Sequence, residues 1–216
     1  MSRQSIANSL EAAGVVAIIR MSDASKVDKV FQALVDGGIR ALEVTMTVPG
    51  AIEHIRRLAR EIPRDFVLGA GTVTDPETAR QVVDAGATFV VSPVFRRAVV
   101  EAVHASGAAA LPGCFSPTEI LDAWEAGAEI VKVFPATSVG PGYLKDIHGP
   151  MPQVKLMPTG GVSIDNAGDW IRAGAVAVGI GSALTDRSAI DRQQFEVITA
   201  RAAELVANVR QARGVA

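Results

Sequence analysis

The sequence predicts an α/β fold, a (β/α)8 TIM barrel with an extra N-terminal helix, in one domain over 1–216. Three observations lead there. Short apolar runs recur eight times, at 15–20, 41–46, 66–71, 89–93, 109–113, 130–135, 155–160 and 175–181. Their starts are about 20–26 residues apart, the length of one strand plus one crossover helix. Five of the runs follow a small residue plus glycine: Gly37-Gly38, Ala85-Gly86, Ser106-Gly107, Ala126-Gly127 and Ala173-Gly174. Glycine there supplies the left-handed cap of a helix, and the run after it is too short to be a buried helix. Finally, hydrophobic residues make up 49% but aromatic residues only 5%, so the apolar mass is aliphatic, as in strands buried on both faces. A doubly wound open sheet is the runner-up, but it rarely needs eight equal units.

Along the chain, Ile6 to Ala13 keep helical spacing and predict a first helix over 3–13. Asn8 and Glu11 interrupt it, so it does not read as a signal peptide. Helix starts are marked by Pro49, Asp75-Pro76-Glu77, Ser116-Pro117-Thr118-Glu119 and Ser163-Ile164-Asp165, where a capping side chain or a proline suits the first turn. A long last helix is expected over about 190–212.

Charge excludes two classes of partner. The balance of 21 basic and 23 acidic residues, with no basic block, leaves no electrostatic footprint for nucleic acid or an anionic membrane. Apolar runs such as Val15 to Ile19 are too short to span a bilayer. The single cysteine, Cys114, cannot form an internal disulfide, and a cytoplasmic location is expected.

In a barrel of this kind chemistry sits at the C-terminal ends of the strands, so polar residues inside or just after the apolar runs are the candidates. Lys132 stands out. Of five lysines it alone lies within an apolar strand, Ile130-Val131-Lys132-Val133-Phe134-Pro135, on the same face as Ile130 and Phe134. A buried ammonium is costly and its pKa falls, which yields the neutral amine that Schiff-base chemistry requires. A structural lysine paired to a core carboxylate is the plainer alternative. Glu43 is the second, mid-strand in Ala41-Leu42-Glu43-Val44-Thr45. Strands two and six lie opposite each other in an eight-stranded barrel, so Glu43 and Lys132 can converge, either as a core ion pair or as a general base beside an amine.

The other strand ends carry Arg20, Gly69-Ala70-Gly71-Thr72, Ser92-Pro93, Pro112-Gly113-Cys114, Thr159-Gly160-Gly161 and Gly179-Ile180-Gly181-Ser182. The last two follow strands seven and eight, where barrels commonly hold phosphate on backbone N–H groups; Gly160, Gly161, Gly181 and Ser182 fit that role. Single glycines would be turn punctuation. A dinucleotide fingerprint and a Walker lysine are lacking. His54, His104 and His148 lack metal-ligand spacing, Cys114 reads as packing, and neither metal nor cofactor is expected.

With Glu43-Val44-Thr45, Gly69-Ala70-Gly71-Thr72-Val73, Ser92-Pro93, Lys132-Val133-Phe134-Pro135-Ala136 and Pro158-Thr159-Gly160-Gly161-Val162, the chain resembles the family of 2-keto-3-deoxy-6-phosphogluconate (KDPG) aldolases. That family includes 4-hydroxy-2-oxoglutarate (KHG) aldolases and 6-phosphogalactonate-specific relatives, and the likeness runs from about residue 5 to about residue 210. It implies a metal-free class I aldolase, a homotrimer, acting on a phosphorylated 2-keto acid. By this resemblance Lys132 is the Schiff-base lysine and Glu43 the acid–base residue. Thr72, Pro93 and Thr159 shape the pyruvate pocket, Phe134 sits beside the lysine, and Thr45 and Thr47 join the substrate-binding set. The chain departs from many members at Thr47, where they carry a carboxylate-binding arginine; other members instead carry an arginine at the end of strand one, matching Arg20. The implied reaction is retro-aldol cleavage to pyruvate and glyceraldehyde 3-phosphate. A phosphosugar isomerase or epimerase and a phosphometabolite-binding module are the alternatives on the same fold.

Overall fold

The structure is a computed structural model that describes residues 1–63 and 65–214. Six parallel strands, β1 (Val15–Ile19), β2 (Ala41–Thr45), β3 (Val67–Gly71), β4 (Phe89–Val91), β5 (Ala109–Leu111) and β9 (Val178–Ile180), form a curled sheet of order β5-β4-β3-β2-β1-β9. A second parallel sheet has the order β6-β7-β8, from β6 (Gly113–Cys114), β7 (Val131–Val133) and β8 (Leu156–Pro158). Each of the eight apolar runs thus carries strand, the fifth in two pieces. The expected single eight-stranded ladder is replaced by six strands plus three, and prolines account for the gaps. Pro112 separates β5 from β6, and Pro158 ends β8; neither has an N–H to give a ladder. Next to Pro158 the pairing reduces to one parallel bridge, Thr159 to Gly179.

Helices fill the crossovers: α2 (Val27–Asp36), α3 (Ala51–Glu61), α4 (Pro76–Asp84), α5 (Arg97–Ala105), α6 (Pro117–Glu125), α7 (Gly142–His148) and α8 (Ala167–Arg172). Their starts follow the chain's capping chemistry. Asp75 accepts from the Thr78 amide, and Ser116 and Glu119 form a reciprocal capping box. Two expected starts move. Gly50, in the left-handed region, separates Pro49 from α3, and Ser163 to Asn166 form a turn before α8. The long last helix is present as α10 (Phe195–Arg213), starting about five residues later than expected, and a short α9 (Arg187–Asp191) precedes it, with Gln193 between them at φ 58. That conformation ends the hydrogen-bonded helix.

Strand alternation splits the interior into two cores. Side chains such as Ala17, Ile19, Leu42, Val44, Leu68, Ala70, Val131 and Val133 pack outward against the helices. Val16, Ala41, Val67, Phe89, Val91, Ala109, Leu111, Ile130, Met157 and Ala177 pack together on the inner face. The first helix, α1 (Arg3–Ala13), lies where the sequence places it. It runs from the Ser2 cap to Gly14 at φ 70, and its Ile6 and Leu10 join that inner cluster. Among the described residues no helix is long and apolar enough to cross a membrane.

Candidate active site

Glu43 and Lys132 belong to the inner-face set. In the parallel registers Glu43 stands between Ile18 of β1 and Gly69 of β3, and Lys132 between Gly113 of β6 and Met157 of β8. Both are buried, at 1% and 5% exposure. Space for the carboxyl is made by Gly71, where a Cβ would overlap the Glu43 side chain. A second glycine on that face, Gly69, makes room for the Phe89 ring in the same way. The Lys132 ammonium lies 4.7 Å from the centre of the Phe134 ring, a cation–π contact.

No salt bridge joins Glu43 and Lys132 among the described residues, and Glu43 Oε2 is buried without a hydrogen-bond partner. The two nevertheless sense each other. Burial pushes the Glu43 carboxyl above its usual range, against the opposing charges of Lys132 and Arg20. Burial likewise holds Lys132 below the usual lysine range; Glu43 pulls it back up and Arg20 pushes it further down. Both groups are therefore drawn toward their neutral forms. A proton-poor amine is a nucleophile, and a carboxyl that can hold or release a proton is an acid–base group. This arrangement differs from a core ion pair in direct contact.

Contacts tie Arg20, Thr72, Phe134 and Gly160 to this pair, and the other expected residues stand at their own strand ends. Arg20, exposed just past β1, donates from Nη2 to Thr72 Oγ1 at 3.3 Å. Thr72 sits at φ 63, unusual for a β-branched residue. The buried Thr45 hydroxyl is already engaged, within 3.2 Å of the Ile19 carbonyl and 2.7 Å of Thr47 Oγ1, so it orients Thr47 at the rim. Pro93 follows β4 with its carbonyl against Gly113, where a side chain would collide with it. Thr159 is 6% exposed with its hydroxyl unpartnered, facing Gly179, which a Cβ would also block. Gly160 and Gly161 are at φ 82 and 79, a pair of left-handed turns that glycine permits. Gly160 lies beside the Phe134 ring, and the Gly161 carbonyl accepts from Asn166 Nδ2 at 2.9 Å. The Gly181 carbonyl is taken by the amides of Leu184 and Thr185 and by the Thr185 hydroxyl, and Ser182 is exposed in that turn.

The residues excluded from chemistry have structural partners. His104 Nε2 is 3.2 Å from Glu129, His148 Nε2 is 2.9 Å from the Val154 carbonyl, and His54 contacts Arg57. Cys114 is buried, donates to the Glu119 carbonyl, and has its thiol pKa pushed up to about 12, mainly by burial. A cavity of about 380 Å³ opens at the rim beside Arg20 and Thr47, with Thr185 and Arg187 on its wall. Sequence reading passed over Thr185 and Arg187, and it named Gly71 only as part of a strand-end motif without a role. For Gly71 a signal existed, since Gly69 and Gly71 alternate along one strand face and clear space beside Glu43 and Phe89.

A parallel α/β scaffold that buries a lysine and a carboxyl on its inner face, each pushed toward its neutral form, suits a carbon–carbon lyase of the aldolase class. The chain belongs to the KDPG and KHG aldolase family, whose model matches residues 6–201. It is 35% identical over 199 residues to the 2-dehydro-3-deoxy-phosphogluconate aldolase of Dickeya dadantii, covering 92% of this chain and 93% of that one. Among solved structures it superimposes on the KDPG aldolase of Legionella pneumophila, with pyruvate captured at low pH as a covalent carbinolamine, at a TM-score of 0.85 and 32% identity, covering 93% and 97% of the two chains. The native KDPGal structure matches at a TM-score of 0.86 and 29% identity, covering 93% and 96%.

Proposed function

We propose that this protein is a class I aldolase that cleaves 2-keto-3-deoxy-6-phosphogluconate reversibly to pyruvate and glyceraldehyde 3-phosphate, and 4-hydroxy-2-oxoglutarate to pyruvate and glyoxylate. The observation that carries it is the buried Lys132 amine, drawn toward neutrality and set within electrostatic reach of Glu43. Lys132 attacks the C2 ketone, and water leaves to form a protonated imine. The imine accepts the electron pair of the breaking C3–C4 bond as Glu43 takes the C4 hydroxyl proton. The aldehyde departs, the enamine is reprotonated at C3 through Glu43, and hydrolysis frees pyruvate. Arg20, Thr47 and Thr72 hold the C1 carboxylate, and Pro93, Phe134 and Thr159 wall the pyruvate pocket. Gly160, Gly161, Gly181 and Ser182 hold the phosphate.

The finer architecture belongs to the same proposal. The two sheets close into a (β/α)8 barrel at the Pro112 junction and the Thr159–Gly179 bridge, in a single domain. Three copies assemble through the exposed apolar side chains Val94, Phe115 and Leu121, and the enzyme works in the cytoplasm.

Borohydride reduction in the presence of pyruvate tests the reading. A pyruvyl adduct on Lys132, lost in Lys132→Ala, is expected; an unmodified wild-type chain would leave the isomerase or binding-module reading instead. The 6-phosphogalactonate epimer is a second candidate substrate, favoured by the fit to the native KDPGal structure. Cleavage rates on the two C4 epimers decide between them.

A further inference from the structure

The rim cavity holds a cation that the proposed chemistry leaves idle. Arg20 and Thr47 line one part of the cavity, and Thr185, Arg187 and Asp191 line another, with Asp23 between. The two aspartates are already compensated. Lys26 Nζ lies 3.3 Å from Asp23 and 3.7 Å from Asp191, and Asp23 also accepts from the Ser25 amide and hydroxyl. The arginines are less so. Among the described residues Arg20 hydrogen-bonds only the neutral Thr72 hydroxyl, and Arg187 forms one long ion pair, Nε to Asp191 at 3.8 Å. Its terminal nitrogens have no acceptor among the described residues, and the side chain is 90% exposed.

The Arg187 side chain is exposed, but the backbone that carries it is anchored. The buried Thr185 is tied through its amide and hydroxyl to the Gly181 carbonyl, and Asp186 caps α9 by accepting from the Ala189 amide at 2.7 Å. Asp186 is also fixed by Arg201 at 3.0 Å. The base of the Arg187 side chain is thus held by the same turn that carries Ser182. Backbone amides and a serine hydroxyl are neutral donors, and a phosphate dianion bound by them alone keeps most of its charge uncompensated. Arg20 and Arg187 are the two cations that line the cavity, one beside Thr47 and the other beside Thr185, so a guanidinium is at hand for a second anionic group.

We infer that Arg187 is a specificity-determining residue that selects aldehyde fragments ending in an oxyanion, phosphate or carboxylate. This rests on the aldolase reading and adds to it a preference set outside the reacting centre. The test runs the reaction in the aldol direction, with pyruvate and glyceraldehyde 3-phosphate, glyoxylate or uncharged glyceraldehyde. In Arg187→Ala the ratio of kcat/KM for glyceraldehyde 3-phosphate over glyceraldehyde should fall about tenfold, mostly through KM. Arg187→Glu should lower it further, Arg187→Lys should restore part of it, and added salt should narrow the wild-type preference. A parallel loss on glyoxylate assigns the residue to both oxyanions, and an unchanged glyoxylate rate assigns it to phosphate. An unchanged ratio, or equal losses on all three aldehydes, overturns the inference. Borohydride trapping of pyruvate by the wild-type enzyme is measured alongside. Trapping with an unchanged ratio sinks the Arg187 role alone, whereas no trapping sinks the aldolase reading.

Discussion

Arg20 reaches across β2 to hydrogen-bond Thr72, Nη2 to Oγ1 at 3.3 Å, joining the ends of β1 and β3. Thr72 holds φ 63, a conformation a β-branched residue adopts only when its surroundings impose it. The contact therefore serves two ends: it braces a strained turn and keeps a guanidinium over the mouth. On the proposed reading a 2-keto acid brings a carboxylate to this rim, where Thr47 offers no charge. Arg20→Ala should raise the KM for pyruvate and for the keto acid by roughly ten- to a hundredfold, the equivalent of about 1.5–3 kcal/mol of charge-assisted hydrogen bonding. Arg20→Lys should recover part of it, because a point charge replaces a planar fork. Introducing Thr47→Arg into the Arg20→Ala background should restore activity if the two positions serve one carboxylate. A fall in kcat with KM unchanged would point instead to Arg20 acting through Glu43.

Gly71 sets where the Glu43 carboxyl can lie. A methyl group at 71 would occupy the volume of that carboxyl, and Glu43 is too buried to swing into water. Gly71→Ala should lower kcat by roughly ten- to a hundredfold through misplacement of the acid–base group. It should also destabilise the fold by about 1–3 kcal/mol, as overpacking does. The stability loss should largely vanish in the Glu43→Ala background, where the clash has no partner. Additive losses in the double variant would show that the residues do not compete for space.

Parity arguments made much of this legible in the sequence. Alternation in 130–134 set Lys132 on one face with Ile130 and Phe134, the opposite placing of strands two and six let Glu43 meet it, and the glycine-terminated repeats marked five of the eight strand-bearing runs. What escaped depended on geometry beyond the local pattern. The ladder break at Pro112 was written in the sequence as a missing N–H, but only pairing reveals which strand it splits. The break before α10 has no glycine to announce it, since Gln193 takes the left-handed conformation itself. Nothing in the local pattern singled out Arg187, whose place on the rim follows from the Thr185 turn.

Lys132 is held below the usual lysine range mainly by burial, while Glu43 opposes that shift. Only the neutral amine attacks a ketone, so the rate of pyruvate trapping should rise with pH through this lowered pKa. Glu43→Gln removes the negative charge that stabilises the ammonium. The midpoint should therefore move to lower pH even as the maximal rate falls. Rate profiles of borohydride trapping for the two proteins decide it; a midpoint that stays put or moves up would show that Glu43 exerts no field on the amine.

The first helix contributes to the site from below, through packing. Leu10 is fully buried in the inner-face cluster, whereas Asn8 on the same helix is exposed and hydrogen-bonded only to Gln4. Leu10→Ala should cost about 2–5 kcal/mol, because a cavity at this position cannot fill with water. For a domain of this size that lowers Tm by roughly 5–15 °C. Asn8→Ala should stay within about 0.5 kcal/mol. Similar melting temperatures for the two variants would mean that α1 covers the inner face without supporting it.

Ser182 carries the phosphate assignment furthest. Its turn is held by three donors that converge on the Gly181 carbonyl, and Gly160 and Gly161, after the preceding strand, adopt left-handed backbone without strain. Ser182 itself is exposed, so a larger side chain there meets little packing resistance and its effect is electrostatic. Ser182→Glu places a carboxylate where the dianion is to bind, and like charges brought together this closely repel. Cleavage of the phosphorylated substrate should fall at least about tenfold, while cleavage of 4-hydroxy-2-oxoglutarate, which has no phosphate, should change less than about threefold. Ser182→Ala removes one neutral hydrogen bond and should cost the phosphorylated substrate only about 0.5–1.5 kcal/mol. The comparison is made on kcat/KM for both substrates in all three proteins. Equal losses on the two substrates would move the phosphate away from this turn.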